Sequence, residues 1–342
     1  LSLHDALPIC ALSGFNLQAA GKVMGIIMKN ILTFLEENAI KYKDKTAFVD
    51  LNDSVTYAEL LARAQSIGSA LSKTGTKNKP IAVYFDKCVN TISAMLGVVY
   101  SGNFYVVIDS EMPPARINKI FGALSPVAVI TDKKHHENAL QLEFSGEIFD
   151  LEEALSCEIN SEKLAQIRSR QIDTDPLYAL FTSGSTGVPK GAVVSHKSVM
   201  AYSEWVSNTF DITSETVFAN QTPFYFSMSV TDVYSTLRNG ATLAIVPKMY
   251  FSFPIKLVEF LDEYKANTIY WVPSAISMVS NFKVFDFQKP KYLNKVLFAG
   301  EVMPTKQLNY WINNLPENTL FANLYGPTET TDICTYYVVN RK

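Results

Sequence analysis

The chain has 342 residues, 48% of them hydrophobic, and a formal charge of −3 at pH 7. That is material for roughly two domains' worth of core, and the interspersed charges exclude a protein that holds a nucleic acid by net positive charge. No apolar run reaches the roughly 20 residues that span a bilayer, so no membrane partner is expected either.

In chain order, Leu1 to Gly25 comes first, with no initiating methionine and neither the basic leader nor the cleavage site of a signal peptide. Residues 1–27 are read as an extraneous or disordered segment, with the native start near Met28. Ile31 to Ile40 places apolar residues at 31, 34, 35 and 39, a helical face. A second helix is expected from Ala58 to Lys73, closed by Gly75, before the buried-type strand Ile81 to Phe85. Further strand-like runs follow at Phe104 to Ile108, Val127 to Thr131, Leu177 to Phe181, Ala192 to Ser195, Ala241 to Val246, Thr268 to Val272 and Val296 to Ala299, separated by amphipathic stretches. This alternation predicts an α/β fold with mostly parallel sheets flanked by helices. Ser169 to Pro176 is the expected boundary between subdomains of about 28–175 and 176–342.

Two groups of residues are set aside. Cys10, Cys88, Cys157 and Cys334 lack metal-ligand spacing and are read as free thiols of a reducing cytoplasm. His135-His136 has no partner cysteines or second histidine pair and is expected in a surface loop.

The segment Phe181 to Gly191, FTSGSTGVPKG, carries the most chemistry. Gly184 and Gly187 let backbone amides converge on an anion, the hydroxyls of Thr182, Ser183, Ser185 and Thr186 add donors, and Lys190 supplies positive charge. A Walker A loop needs glycine before the lysine, where this chain has Pro189, so the ordinary P-loop reading fails.

This loop resembles the phosphate-binding signature of the adenylate-forming superfamily, which joins a carboxylate to ATP and passes the acyl group to a thiol. Val55 to Leu60 resembles its "TYxEL" motif and Tyr100 to Asp109 its "AGxxYVPID" motif. Asn323-Leu324-Tyr325-Gly326-Pro327-Thr328-Glu329 resembles the "YGPTE" motif that closes the nucleotide pocket. The resemblance implies two stacked subdomains forming the large N-terminal domain of that fold. It also implies ATP on Thr182 to Gly187, Lys190 and Asn323 to Thr328, with Tyr325 against adenine. Glu329 and Lys190 take catalytic roles, and Glu329 holds Mg²⁺ against the phosphates, since that ion prefers hard oxygen ligands. Gly300-Glu301 resembles the segment bordering adenine.

The stretch Asn220 to Tyr234 is similar to that of D-alanine–carrier protein ligases and peptide-synthetase adenylation domains. Those proteins have aspartate at the position of Ser227, where it pairs with the substrate α-ammonium. Ser227 has no charge, so either the substrate lacks an α-amine or another carboxylate reaches it. Asp332, on the substrate wall beyond the "YGPTE" motif, is the candidate, while Asp232 is assigned to the following helix. Phe226, Ser227, Trp271, Ala299, Gly300 and Asp332 complete the expected substrate side, and Ala299 stands where the D-alanine ligases have cysteine.

Members of this superfamily continue into a ribose-binding aspartate and a small C-terminal lid with a late lysine. The chain is therefore expected to be a fragment that alone binds ATP weakly and adenylates poorly. The leading expectation is adenylation of a small amino or related carboxylic acid and its transfer to a carrier-protein phosphopantetheine. The alternatives are an acyl- or aryl-CoA ligase using the CoA thiol, and a non-catalytic nucleotide-binding module.

Overall fold

The computed structural model describes residues 30–182 and 189–341. The segment 1–27 and the loop residues Ser183, Gly184, Ser185, Thr186 and Gly187 lie outside the described residues.

Two sheets form the frame. The strands are β1 (Thr46–Val49), β2 (Ser54–Thr56), β3 (Pro80–Tyr84), β4 (Phe104–Ile108), β5 (Ala128–Thr131), β6 (Glu147–Asp150), β7 (Pro176–Thr182), β8 (Lys190–Ser195), β9 (Val217–Asn220), β10 (Thr242–Ile245), β11 (Thr268–Trp271), β12 (Lys295–Phe298), β13 (Leu320–Tyr325) and β14 (Thr335–Val338). An eight-stranded sheet runs β14-β13-β12-β11-β9-β10-β1-β2, and a six-stranded sheet runs β6-β5-β3-β4-β7-β8. Pairing is parallel except at β1–β2, β13–β14 and β7–β8, as the expected mostly parallel sheets require.

Strand alternation explains the layering. Ile81 and Val83 face one apolar cluster while Ala82 and Tyr84 face another, and Phe218 and Ala219 divide in the same way. The shared central cluster lies between the sheets, around the helices Leu32–Lys41, Tyr57–Leu71, Val89–Tyr100, His196–Phe210 and Met228–Asn239. Helices Pro254–Glu263, Pro273–Asn281 and Thr305–Asn314 cover the outer face of the large sheet, and Pro114–Leu124 that of the small one. Both faces of the parallel strands are thus buried, which is why they read as continuous apolar runs.

Local signals set the element ends. Thr56 and Glu59 form a reciprocal capping box at the start of Tyr57–Leu71, and Gly75 ends the following turn at φ 65°. That helix packs closely on Val89–Tyr100, because a Cβ on Gly68 would lie 2.5 Å from the Cβ of Tyr100.

Sheet membership does not follow the expected 175/176 boundary. β7 and β8 complete the six-stranded sheet, whereas β1 and β2 cross to the eight-stranded one, where Phe48 pairs with Leu243. A strand's partners are set by long-range register, which composition shifts along the chain do not reveal. Among the described residues no helix is long and apolar enough to cross a membrane.

Candidate nucleotide and acyl site

The two nucleotide motifs meet at the neighbouring edges of the sheets. β7 and β8 are antiparallel, with Thr182 paired to Lys190, and β8 opens at exposed Lys190. The turn Thr328–Thr330, which carries Glu329, packs against β8. From the neighbouring strand Tyr178 donates its hydroxyl to the Thr331 carbonyl at 3.2 Å. The turn that carries Glu329 and the strand that opens at Lys190 thus come together from different sheets.

Alternation along β13 sorts the next residues. Asn323 and Tyr325 are exposed, Tyr325 at 71%, while Leu324 is buried and contributes wall rather than contact. Gly326 follows, half-buried, then Pro327, exposed, and Thr328. A Cβ on Gly326 would lie 2.4 Å from the carbonyl oxygen of Asp332 and 2.4 Å from the Cα of Ile333, so only glycine lets the turn press onto that backbone. Glu329 is exposed and makes no side-chain hydrogen bond or ion pair among the described residues. No cluster of three or more acidic, histidine or cysteine side chains suited to a metal occurs among the described residues. A single free carboxylate fits Mg²⁺ that takes its other oxygens from phosphate and water.

Glu301 behaves differently. Its carboxylate accepts from the Ser274 backbone amide at 2.8 Å and from the Ser274 hydroxyl at 3.2 Å, holding the start of helix Pro273–Asn281. Its side chain serves the fold.

On the acyl side, Ser227 immediately precedes helix Met228–Asn239, and its side chain makes no cap bond. Gly300, at φ 91°, faces Met228: a Cβ there would lie 3.5 Å from the Met228 sulfur. Ala299 is buried in the central cluster beside Met228 and Leu324. Asp332 is 2% exposed, and its Oδ2 accepts from Thr231 (2.7 Å), Tyr202 (3.0 Å) and Tyr270 (3.1 Å). Burial pushes the Asp332 carboxyl above the usual range, while these hydroxyls and that of Ser227 oppose the shift.

Two expected wall residues lie elsewhere. Trp271 points to the outer face of the large sheet, donating its indole N–H to the Ala219 carbonyl at 2.7 Å and stacking edge-on with Phe251 and Trp311. Tyr270, one residue earlier, has the inward face, as a two-residue period dictates. Phe226 is 55% exposed against Tyr225 and is not enclosed in the wall. Sequence reasoning missed Tyr270, which alternation from Trp271 could have flagged, and Tyr202 and Thr231, which carry no sequence signal.

Asp232 does not cap its helix but sits fully buried in its second turn. Its Oδ2 accepts from Asn220 Nδ2 at 2.7 Å, and its Oδ1 has no partner among the described residues. Burial raises its pKa to about 8, and burial lowers that of nearby Lys87 to about 7. Lys87 donates to the carbonyls of Asn220 (3.2 Å) and Gln221 (3.0 Å) and lies over the Phe224 ring. It also lines a cavity of about 620 Å³ at the carboxyl ends of β3, β4, β9 and β10. Pairs such as Lys134–Asp86 and Lys248–Glu111 balance the charge at its mouth. His135, expected on the surface, is buried, with Nδ1 2.6 Å from Asp132 and Nε2 3.3 Å from Asp86.

Two mostly parallel sheets meet where the β7–β8 pair packs against a glycine-linked acidic turn. Residues 35–342 match the AMP-binding enzyme family, and the chain belongs to it. It is 29% identical over 334 residues to the L-proline–[L-prolyl-carrier protein] ligase of Streptomyces coelicolor, covering 92% of this chain and 62% of that protein. It is 30% identical over 305 residues to the D-alanine–D-alanyl carrier protein ligase of Staphylococcus aureus, covering 89% of this chain and 60% of that protein. The chain thus spans about three fifths of the length of these curated relatives. Among solved structures it resembles the nonribosomal peptide synthetase FmoA3 (TM-score 0.81, 21% identity, 91% of this chain and 32% of that one). It also resembles VinN in complex with L-aspartate (TM-score 0.78, 18% identity, 89% of this chain and 78% of that one).

Proposed function

We propose that this chain is the nucleotide- and acyl-binding portion of a ligase that activates a small amino acid or related carboxylic acid with ATP and transfers it to the phosphopantetheine thiol of a carrier protein. One observation carries the reading. The Glu329 turn packs on the strand that opens at Lys190, and through Gly326 the same turn presses on Asp332 of the acyl wall. Phosphates and carboxylate would therefore meet at one place, which is what in-line attack of a carboxylate on the α-phosphate needs.

In this reading Thr182 to Gly187, Lys190 and Tyr325 to Thr328 hold ATP, with Tyr325 offering its exposed ring to adenine. Glu329 would hold Mg²⁺, which when bound neutralises phosphate charge. Lys190 adds a fixed positive charge, and Ser227, Ala299, Gly300 and Asp332 border the acyl group. The carrier-protein acceptor is supported by the two ligase relatives. A CoA thiol is the second reading, favoured by Ser227 in place of the ammonium-binding aspartate. Free Cys88, Cys157 and Cys334 support a reducing, cytoplasmic setting.

Calorimetry with ATP and Mg²⁺ tests the nucleotide half. Binding is expected, and Glu329→Gln is expected to weaken it in Mg²⁺ by about tenfold, of the order of one charge-assisted contact, while leaving Mg²⁺-free binding unchanged. An unchanged affinity in Mg²⁺ would remove Glu329 from the metal. Acid-dependent exchange of pyrophosphate into ATP by the protein carrying this chain, followed by loading of a carrier protein or CoA, tests the reaction. Exchange with none of a panel of small amino, hydroxy and aryl acids would overturn the proposal.

A further inference from the structure

Residue 331 is held in a conformation that proteins seldom accept. Thr331 has φ 80° and ψ −54°, the geometry of a classical γ-turn, on a β-branched residue. Such strain costs on the order of 1–3 kcal/mol and persists only where surrounding contacts impose it. Here they are the Tyr178 hydroxyl on the Thr331 carbonyl and the Gly326 turn packed on the backbone of residues 332–334. The reversal aims Asp332 into the interior.

Asp332 is met there by hydroxyls and no cation. The Tyr202, Thr231 and Tyr270 hydroxyls lie within hydrogen-bond distance of Oδ2, the Tyr202 and Thr231 oxygens lie 2.6 Å apart so that their two protons are shared among three contacts, and the Ser227 hydroxyl is within hydrogen-bonding reach of the carboxyl. No lysine, arginine or histidine among the described residues pairs with it. Asp232 interacts with it unfavourably, as a like charge would, and is itself hydrogen-bonded by Asn220. A buried carboxylate without a counter-ion is expensive, and a merely structural polar group is better served by a neutral side chain. Strain and burial together hold a carboxyl that no cationic side chain among the described residues pairs with.

We propose that Asp332 reads a primary ammonium on the substrate, a carboxylate displaced from position 227 to position 332, with Tyr202, Thr231 and Tyr270 as the residues that position it. This rests on the adenylation reading and narrows its substrate class to amine-bearing acids. Ser227 then serves as a hydroxyl that reaches the relocated carboxyl rather than as a vacancy in the site.

The test uses the whole chain and matched sulfamoyladenosine mimics of acyl adenylates, glycyl and β-alanyl against their amine-free counterparts acetyl and propionyl. At least one amine-bearing probe is expected to bind about tenfold or more tighter than its counterpart, a factor within reach of one buried charge pair. The glycyl and β-alanyl arms tell whether the ammonium sits one or two carbons from the carboxyl. Asp332→Asn should erase the preference, and Ser227→Asp in that background should restore part of it. Tyr270→Phe should reduce the preference without abolishing it. Circular dichroism of each variant confirms folding. A preference that survives Asp332→Asn, or amine-free probes that bind the unmodified chain equally well, would overturn the assignment. Failure of every probe to bind would overturn the adenylation reading itself.

Discussion

Trp271 shows how a single position divides structure from specificity. Trp271→Phe removes a buried donor from the Ala219 carbonyl, and a stability loss of about 1–2 kcal/mol is expected in denaturant unfolding. Acyl preference should not move, because the ring lies on the far face of its sheet; a changed substrate profile would restore Trp271 to the pocket. Asp232 makes a sharper prediction. Its folded pKa of about 8 lies above the unfolded value, so the folded state keeps a proton that the unfolded chain releases, and the cost of Asp232 grows as pH rises from about 4 to 8. Asp232→Asn should therefore stabilise the chain increasingly across that window, by at most about 1.4 kcal/mol per pH unit, and level off above it. The difference between the two melting temperatures against pH reports the titration of Asp232 together with its interaction with Lys87. A flat difference would mean that Asp232 is ionised in the folded protein.

At the scale of elements, the Gly326 turn presses on the backbone of residues 332–334, which in the proposed reading would couple the nucleotide to the acyl group. Gly326→Ala would place a methyl group 2.4 Å from backbone, which cannot step aside as a flexible side chain could. Binding of both ATP and acyl-adenylate mimics should fall together; loss of only one would show the two halves to be independent. Much of this was legible beforehand. Phe104–Ile108 has the bounds its apolar run predicts, and the helix expected from Ala58 to Lys73 runs from Tyr57 to Leu71, with Gly75 ending the short turn that follows it. The short strands at Thr46–Val49, Glu147–Asp150 and Val217–Asn220 were not legible, because runs of four residues have too little periodicity to stand out. The motif residues proposed to hold the nucleotide stand out in the sequence because glycines, hydroxyls and charge lie side by side there. The cage around Asp332 could not, since Tyr202, Thr231 and Tyr270 are brought together by three separate elements.

The whole molecule should respond to acid through His196. Burial lowers its pKa to about 4, so the unfolded chain takes up a proton below about pH 6.5 that the folded chain refuses. Stability from this group is full above pH 6.5 and is lost as pH falls towards 4, by about 3 kcal/mol at most. His196→Gln should flatten that part of the curve in thermal unfolding; an unaltered acid limb would place the sensitivity elsewhere. The two sheets share one central core, so unfolding should also be a single transition.

The crossing of the β1–β2 hairpin into the large sheet has a consequence for how such proteins are recombined. A breakpoint near residue 175 would strand β7 and β8 away from their sheet and leave β10 without its neighbour β1. The run from Val217 to Val338 is different: it is contiguous and carries Ser227, Thr231, Tyr270, Ala299 and Asp332. A graft of that run would carry most of an acyl preference into a related scaffold, provided that the recipient offers a hydroxyl where Tyr202 stands.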